Sequence, residues 1–285
     1  MSIATNCLIV NVSIGQWSGH RLDKAASDAF AAEHGAQSDA GRYNKHLVPK
    51  EYLDPITKIG TEIRGYIKTH TVPWRDNGDR LLSRKSYEQF MQGLATLKQR
   101  HADAVEHFLT VDYPKARDQA EFRMGDLFNP ADYPPAGELR HRFYVELDID
   151  TVTEAGDIRV GLSEQERAEV AQQIERNMEV RVNRAVHDVW HRLASVVERY
   201  ARQMREGKRL HKSLTENVHE IVELLPALNI LDDPDLEAMG QEVHQRLAGY
   251  DLKDLKKDED LRAEAASEAD EIMERMRGFM SAMGQ

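Results

Sequence analysis

From about Ser163 to Glu206 the chain carries one apolar stripe: Ile174, Met178, Val182, Ala185, Val189, Leu193, Val196, Tyr200 and Met204. The steps alternate fours and threes as 4, 4, 3, 4, 4, 3, 4, 4, a spacing that only an α-helix gathers onto one face. The underlying repeat is eleven residues, about 3.67 per turn, which keeps the seam nearly straight or slightly right-handed. Ser163 followed by Glu166 has the spacing of a capping box, and Gly207 stands where a left-handed cap costs least. At about 1.5 Å per residue this helix reaches roughly 65 Å, further than a compact small domain is wide. It needs a partner along its whole length. It is either the spine of a helical bundle within its own chain or half of an intermolecular coiled coil.

The totals fit that picture. The 285 residues are 41% hydrophobic and 31% charged, with a net charge of −11, a balance that suits long solvated helices better than a compact α/β enzyme. The acidic total argues against a uniformly nucleic-acid-coated surface while leaving room for local basic patches. One cysteine, Cys7, excludes an internal disulfide and a cysteine-rich zinc site. No run approaches the length of a membrane span, and no basic segment precedes the short apolar run at Cys7–Val10, so a soluble, cytoplasmic protein is expected.

Along the chain, residues 5–14 alternate as a strand, with Leu8, Val10, Val12 and Ile14 on one face and Ile9 on the other. Residues 23–33 have helix composition, and 35–46 read as a loop. Pro49 opens a helix carried by Tyr52, Ile56, Ile59 and Ile63, with Pro55 placed to kink or restart it. Residues 71–80 read as a loop by Pro73 and Asn77-Gly78, and a third helix runs from Ser83 or Ser86 to Val111. The prolines between 112 and 140 argue against long elements there. Phe143, Val145, Leu147 and Ile149 then mark the inward face of a second strand, with Glu146, Asp148 and Asp150 outward, and residues 157–160 add a short third strand. Ser213-x-x-Glu216 has capping-box spacing before a helix that Pro226 interrupts; Asp233-Pro234 starts another, and a last helix covers about 258–281. The expected fold is α+β and predominantly α-helical. A small antiparallel sheet of two or three strands lies in an N-terminal domain of residues 1–160, and residues 161–285 form an all-helical domain around the long spine.

Few residues offer chemistry. His187 and His191, with Asp188 between them, have the outline of a zinc protease helix, but the acid is one carbon short of the required glutamate and no third ligand is visible. Cys7 lies inside a strand, where a cysteine packs, and the row Glu146, Asp148, Asp150 reads as a wet strand face. No phosphate-binding glycine loop occurs. No catalytic residue, metal or cofactor is expected. The basic cluster Arg199, Arg202, Arg205, Lys208, Arg209, His211 and Lys212 closes the long helix. Its bland reading is complementarity to the helix dipole; its sharper one is single-stranded nucleic-acid binding, with Tyr200 available for stacking. A looser group, Trp74, Arg75, Arg80, Arg84 and Lys85, mixes an aromatic with cations. Met273, Met276, Met280 and Met283 suggest an adaptable partner-binding tail.

The opening strand running into Gln16-Trp17-Ser18-Gly19 and Leu22-Asp23, with Arg142-Phe143 leading a later strand, resembles a phage and bacterial family of unknown function. Members of that family are encoded beside MoxR-type AAA+ ATPases and von Willebrand-type proteins. The resemblance covers about residues 5–200 and implies no catalytic residues; it implies an accessory protein with an AAA+ ATPase partner. The expectation is therefore a non-enzymatic, homo-oligomeric scaffold or adaptor whose interface is the seam Ile174, Met178, Val182, Val189, Leu193, Val196 and Tyr200. The alternative is nucleic-acid binding through Arg199, Arg202, Arg205, Lys208, Arg209 and Lys212.

Overall fold

The computed structural model describes residues 3–207 and 210–283. Helix accounts for 69% of the residues and strand for 11%, so the protein is α+β and predominantly helical. The first half runs α1 (Ile3–Asn6), β1 (Cys7–Gly15), β2 (His20–Asp23), α2 (Lys24–Glu33), β3 (Tyr43–His46), α3 (Lys50–His70), β4 (Val72–Pro73) and β5 (Arg80–Ser83). It continues through α4 (Tyr87–His107), the short helices α5 (Tyr113–Asp118), α6 (Ala120–Met124) and α7 (Ala136–Arg140), and β6 (Tyr144–Thr151). The helical half is α8 (Glu164–Glu206), α9 (Ser213–Leu228), α10 (Pro234–Leu247), α11 (Leu252–Lys257) and α12 (Glu259–Met283). A four-stranded sheet has the order β4-β5-β1-β6, and β2 pairs with β3 in a second ladder.

The chain does not divide at residue 160. One compact unit takes the residues up to Asn11, then Lys68–Phe90 and everything from Ile149 on; the other takes Val12–Ile67 and Met91–Asp148. The chain passes between them inside β1, α3, α4 and β6.

The first unit is built on α8. Its N-terminus carries the capping box: Ser163 Oγ accepts from the Glu166 amide, and the Glu166 carboxylate accepts from the Ser163 amide at 2.9 Å. Its C-terminus ends in Gly207 at φ 60°, the left-handed conformation that glycine adopts at least cost. Between Ala185 and Met204 the helix buries Val189, Trp190, Leu193, Val197 and Tyr200 together with small Ala194 and Ala201. These meet Ala265, Ala269, Ile272 and Met276 of α12 and Leu214, Val218 and Leu225 of α9 in one core. Helix α12 runs antiparallel to α8: Arg262 lies beside Gly207, Arg205 holds Asp270, and Phe279 stacks on Trp190 with centroids 5.3 Å apart. Burying side chains of that size stabilises by about 1.5–3 kcal/mol each. The β4–β5 hairpin joins the same core through Val72, Trp74 and Leu81, and β5 pairs antiparallel with β1, Cys7 facing Ser83 and Val10 facing Arg80.

The second unit has its own core of Trp17, Phe108, Tyr113 and Phe143, whose rings sit 5.7–6.1 Å apart. The Tyr113 hydroxyl donates to the Pro134 carbonyl at 2.6 Å. The β2–β3 ladder is locked by Lys45, only 5% exposed, whose ammonium reaches Asp132 at 2.5 Å, Asp23 at 3.0 Å and the Leu127 carbonyl at 3.2 Å. Burial pushes the Lys45 pKa down, but these bonds more than offset it and hold it above its ordinary value.

Several expectations change. Residues 43–46 are a strand, and 72–83 contain two strands and the turn between them. Residues 157–160 form no strand; Ala155–Asp157 is a 3-10 turn and Val160 is 66% exposed. In β1 the neighbours Ile9 and Val10 are both buried, so both strand faces are covered there. In β6 the apolar face is half covered: Phe143 is buried just before the strand, Val145 and Leu147 are half-buried, and Ile149 is 39% exposed. Ser213 is the first residue of α9 and makes no cap, and α9 passes Pro226 to end at Leu228. Helix α3 runs unbroken past Pro55.

Candidate functional site

Helix α8, about 64 Å long at about 1.5 Å per residue, has two different halves. All nine of its buried residues lie between Ala185 and Met204. From Glu164 to Arg184 none is buried, Val170 is 39% exposed and Val180 68%. Of the expected interface residues, Val189, Leu193 and Tyr200 are at most 1% exposed within their own chain and are spent on the core. Val196 is half-buried beside that core. Ile174, Met178 and Val182 stay half-buried, with Met178 and Val182 touching the edge of the core and Ile174 in a shallow hollow with Ile3, Ala4 and Gly156.

The basic end of α8 is divided. Arg205 donates two hydrogen bonds to the Asp270 carboxylate, and Lys212 meets Glu216 at 2.6 Å. Arg199 and Arg202 are exposed, and no ion pair joins either to a carboxylate among the described residues. Lys208 and Arg209 lie outside the described residues. Tyr200 is unavailable for stacking: it is fully buried, and burial pushes its phenol pKa well up.

The looser group is structural. Trp74 is 1% exposed, with the Arg181 guanidinium 5.7 Å from its ring centroid. Arg75 pairs with Asp79 at 3.1 Å, Lys85 pairs with Asp232, and Arg80 donates to the Thr71 hydroxyl at 2.6 Å and the Thr71 carbonyl at 2.9 Å. Arg84 is exposed.

His187 and His191 stack edge to face, 4.4 Å between centroids, but Asp188 is held by Arg192 at 2.6 Å. Among the described residues no three of His, Cys, Asp and Glu gather closely enough to hold a metal. Cys7 is buried, and its thiol pKa is pushed up to about 11, by burial first and then by the Asp232 carboxylate, which disfavours the reactive thiolate. Met276 is fully buried and Met273 and Met280 pack against the core. The described part of the methionine row is therefore core, and the Met283 side chain lies outside the described residues.

Arg192 has a role the sequence did not suggest. From α8 it donates to the Thr69 carbonyl at 3.2 Å and the Thr71 carbonyl at 3.0 Å while gripping Asp188. Arg80 reaches the same Thr71 carbonyl. Two guanidiniums therefore share one carbonyl oxygen, and the Arg80 pKa falls to about 10, through burial first and Arg192 second.

Fold and surface together define a predominantly helical α+β protein with one half-covered spine helix. No protein-family model, curated protein or solved structure matches the chain.

Proposed function

We propose that the protein is a non-enzymatic, self-associating helical scaffold or adaptor of a phage or bacterial cytoplasm, and that residues 164–184 of α8 are its association surface. The observation that carries this reading is the unequal cover of one helix. None of these twenty-one residues is fully buried, yet they continue the apolar spacing of the core half through Val170, Ile174, Met178 and Val182. A narrow apolar row of this kind has the width of a coiled-coil seam, whereas a core-facing stripe is wider. The resemblance at Gln16–Gly19 and Arg142-Phe143 adds an AAA+ ATPase as the partner for which the scaffold works. No described helix is long and apolar enough to cross a membrane.

Light scattering on the purified chain tests the proposal. The expected result is an oligomer whose mass is insensitive to salt, because apolar association does not weaken as phosphate contacts do. Val170→Glu combined with Ile174→Glu should reduce it to a monomer with unchanged helix content. A monomeric wild type, or a variant that keeps the wild-type mass, removes this reading.

A further inference from the structure

A cleft of about 660 Å³ opens between α8 and α9, closed at one end by the last turn of α3. On the α8 wall stand His191, Ser195 and Arg199; on the α9 wall stand Asn217 and Glu220; Lys68 comes from α3. Val196, Ile221 and Leu224 form the apolar part of its lining. Arg199 belongs to the helix-end basic cluster in sequence, but it lines this cleft while Arg205 and Lys212 have carboxylates of their own.

The charges around the cleft do not cancel. Asp188 is engaged by Arg192, and Arg80 stands behind Arg192 on the same Thr71 carbonyl. Among the described residues the cleft is lined by the cations Lys68, Arg192 and Arg199 and the acids Asp188 and Glu220, with Arg80 behind Arg192, a local positive excess in a chain whose net charge is −11. Neither Lys68 nor Arg199 has an acid three or four residues away along its own helix, so no local pair neutralises them. The Ser195 hydroxyl and Asn217 amide can donate without charge. Arg192 is anchored by its own hydrogen bonds, so part of this positive field is fixed in place before any ligand arrives.

We infer that the α8–α9 cleft binds a diphosphate-class oxyanion, with Lys68 and Arg199 as its charged contacts and Ser195 and Asn217 as neutral donors. The volume of about 660 Å³ is roughly twenty times that of one water, about 30 Å³, so a linked pair of phosphates has room in it, and cations on two of its walls can each meet one. The cleft holds no aromatic ring other than His191, so recognition rests on the phosphates and not on a stacked base. This inference stands apart from the scaffold proposal, which concerns residues 164–184.

The test is calorimetric titration of the full chain with inorganic pyrophosphate at low and high salt, alongside a nucleoside diphosphate and a short single-stranded oligonucleotide. Saturable binding that weakens as salt rises is expected. The pair Lys68→Gln and Arg199→Gln should weaken it at least about tenfold, as loss of two phosphate contacts implies. Glu220→Gln should tighten it, because a carboxylate in the lining of the cleft no longer repels the ligand. Pyrophosphate binding lost in the double variant shows that free diphosphate suffices; binding of the oligonucleotide alone, lost in the same variant, assigns the phosphates to a nucleic-acid backbone. No binding by any of the three, or binding indifferent to both the double variant and Glu220→Gln, overturns the inference.

Discussion

Between Ala185 and Met204, α8 buries Trp190, Tyr200, three leucine- or valine-sized residues at Val189, Leu193 and Val197, a methionine and three alanines; between Glu164 and Arg184 no residue is fully buried. The backbone is one helix and the apolar spacing does not change between the halves. What changes is the width of the stripe. In the inner half, neighbours are buried together, as with Val189 and Trp190, Leu193 and Ala194, and Tyr200 and Ala201, so both α9 and α12 can pack there. The outer half offers a single row flanked by Glu169, Glu175, Arg176 and Glu179. Period specifies a helix, but stripe width specifies how many neighbours it can satisfy.

The largest effect should separate the halves by stability. Leu193→Ala removes a fully buried side chain from the core and should cost about 2–5 kcal/mol. Ile174→Ala, in the half-buried row, should cost about 1 kcal/mol or less. Urea denaturation of dilute protein, below any association, measures both. Equal costs would mean that the outer half is packed as tightly as the inner one, and the comparison would fail.

A smaller effect should be confined to one end. Ser163→Ala removes the hydroxyl that accepts from the Glu166 amide, a change worth about 1 kcal/mol to a helix N-terminus. Because Glu164–Arg184 carries no buried residue, that loss should fray the outer half without reaching the core. Native-state hydrogen exchange should show faster exchange in the first turns, by roughly fivefold for about 1 kcal/mol, while the urea midpoint stays put. A midpoint that falls by the same amount would show the two halves unfolding as one cooperative unit.

The same contrast explains what could be read from the sequence. The ends of α8 were legible because Ser163, Glu166 and Gly207 act within a turn of themselves. The β4–β5 hairpin was not: Leu81, Leu82 and Ser83 are all buried, so they lack alternation, and Val72-Pro73 is too short to carry a pattern. Strand β3 was missed because Lys45 looks like a surface residue until Asp23 and Asp132 meet it in the fold. The basic cluster was visible as a run, yet Asp270, which occupies Arg205, is 65 residues away. The α8–α9 cleft was invisible for the same reason, since Lys68, Arg199 and Asn217 come from three helices. Local chemistry survives in sequence; cancellation of charge by distant partners does not.

The smallest effect should come from pH, again at the outer end. The Glu166 carboxylate accepts from the Ser163 hydroxyl at 2.7 Å and the Ser163 amide at 2.9 Å, and these two bonds, the hydroxyl first, hold its pKa below its ordinary 4.5. A carboxyl whose folded pKa is depressed contributes in full above its ordinary value and loses that contribution as pH falls through the folded one. The first turn of α8 should therefore be intact at neutral pH and loosen as the solution is acidified below 4.5. Backbone chemical shifts of residues 164–170 would follow this, with the shifts around Leu193 as the internal reference. Glu166→Gln should remove the pH dependence while keeping a weaker neutral cap, because its amide oxygen still accepts but carries no charge to favour the positive end of the helix dipole. If residues near Leu193 move with the same midpoint, the cap is coupled to the core and α8 behaves as a single rigid spine. If only residues 164–170 move, the outer half answers to its own cap, as a segment waiting for a partner should.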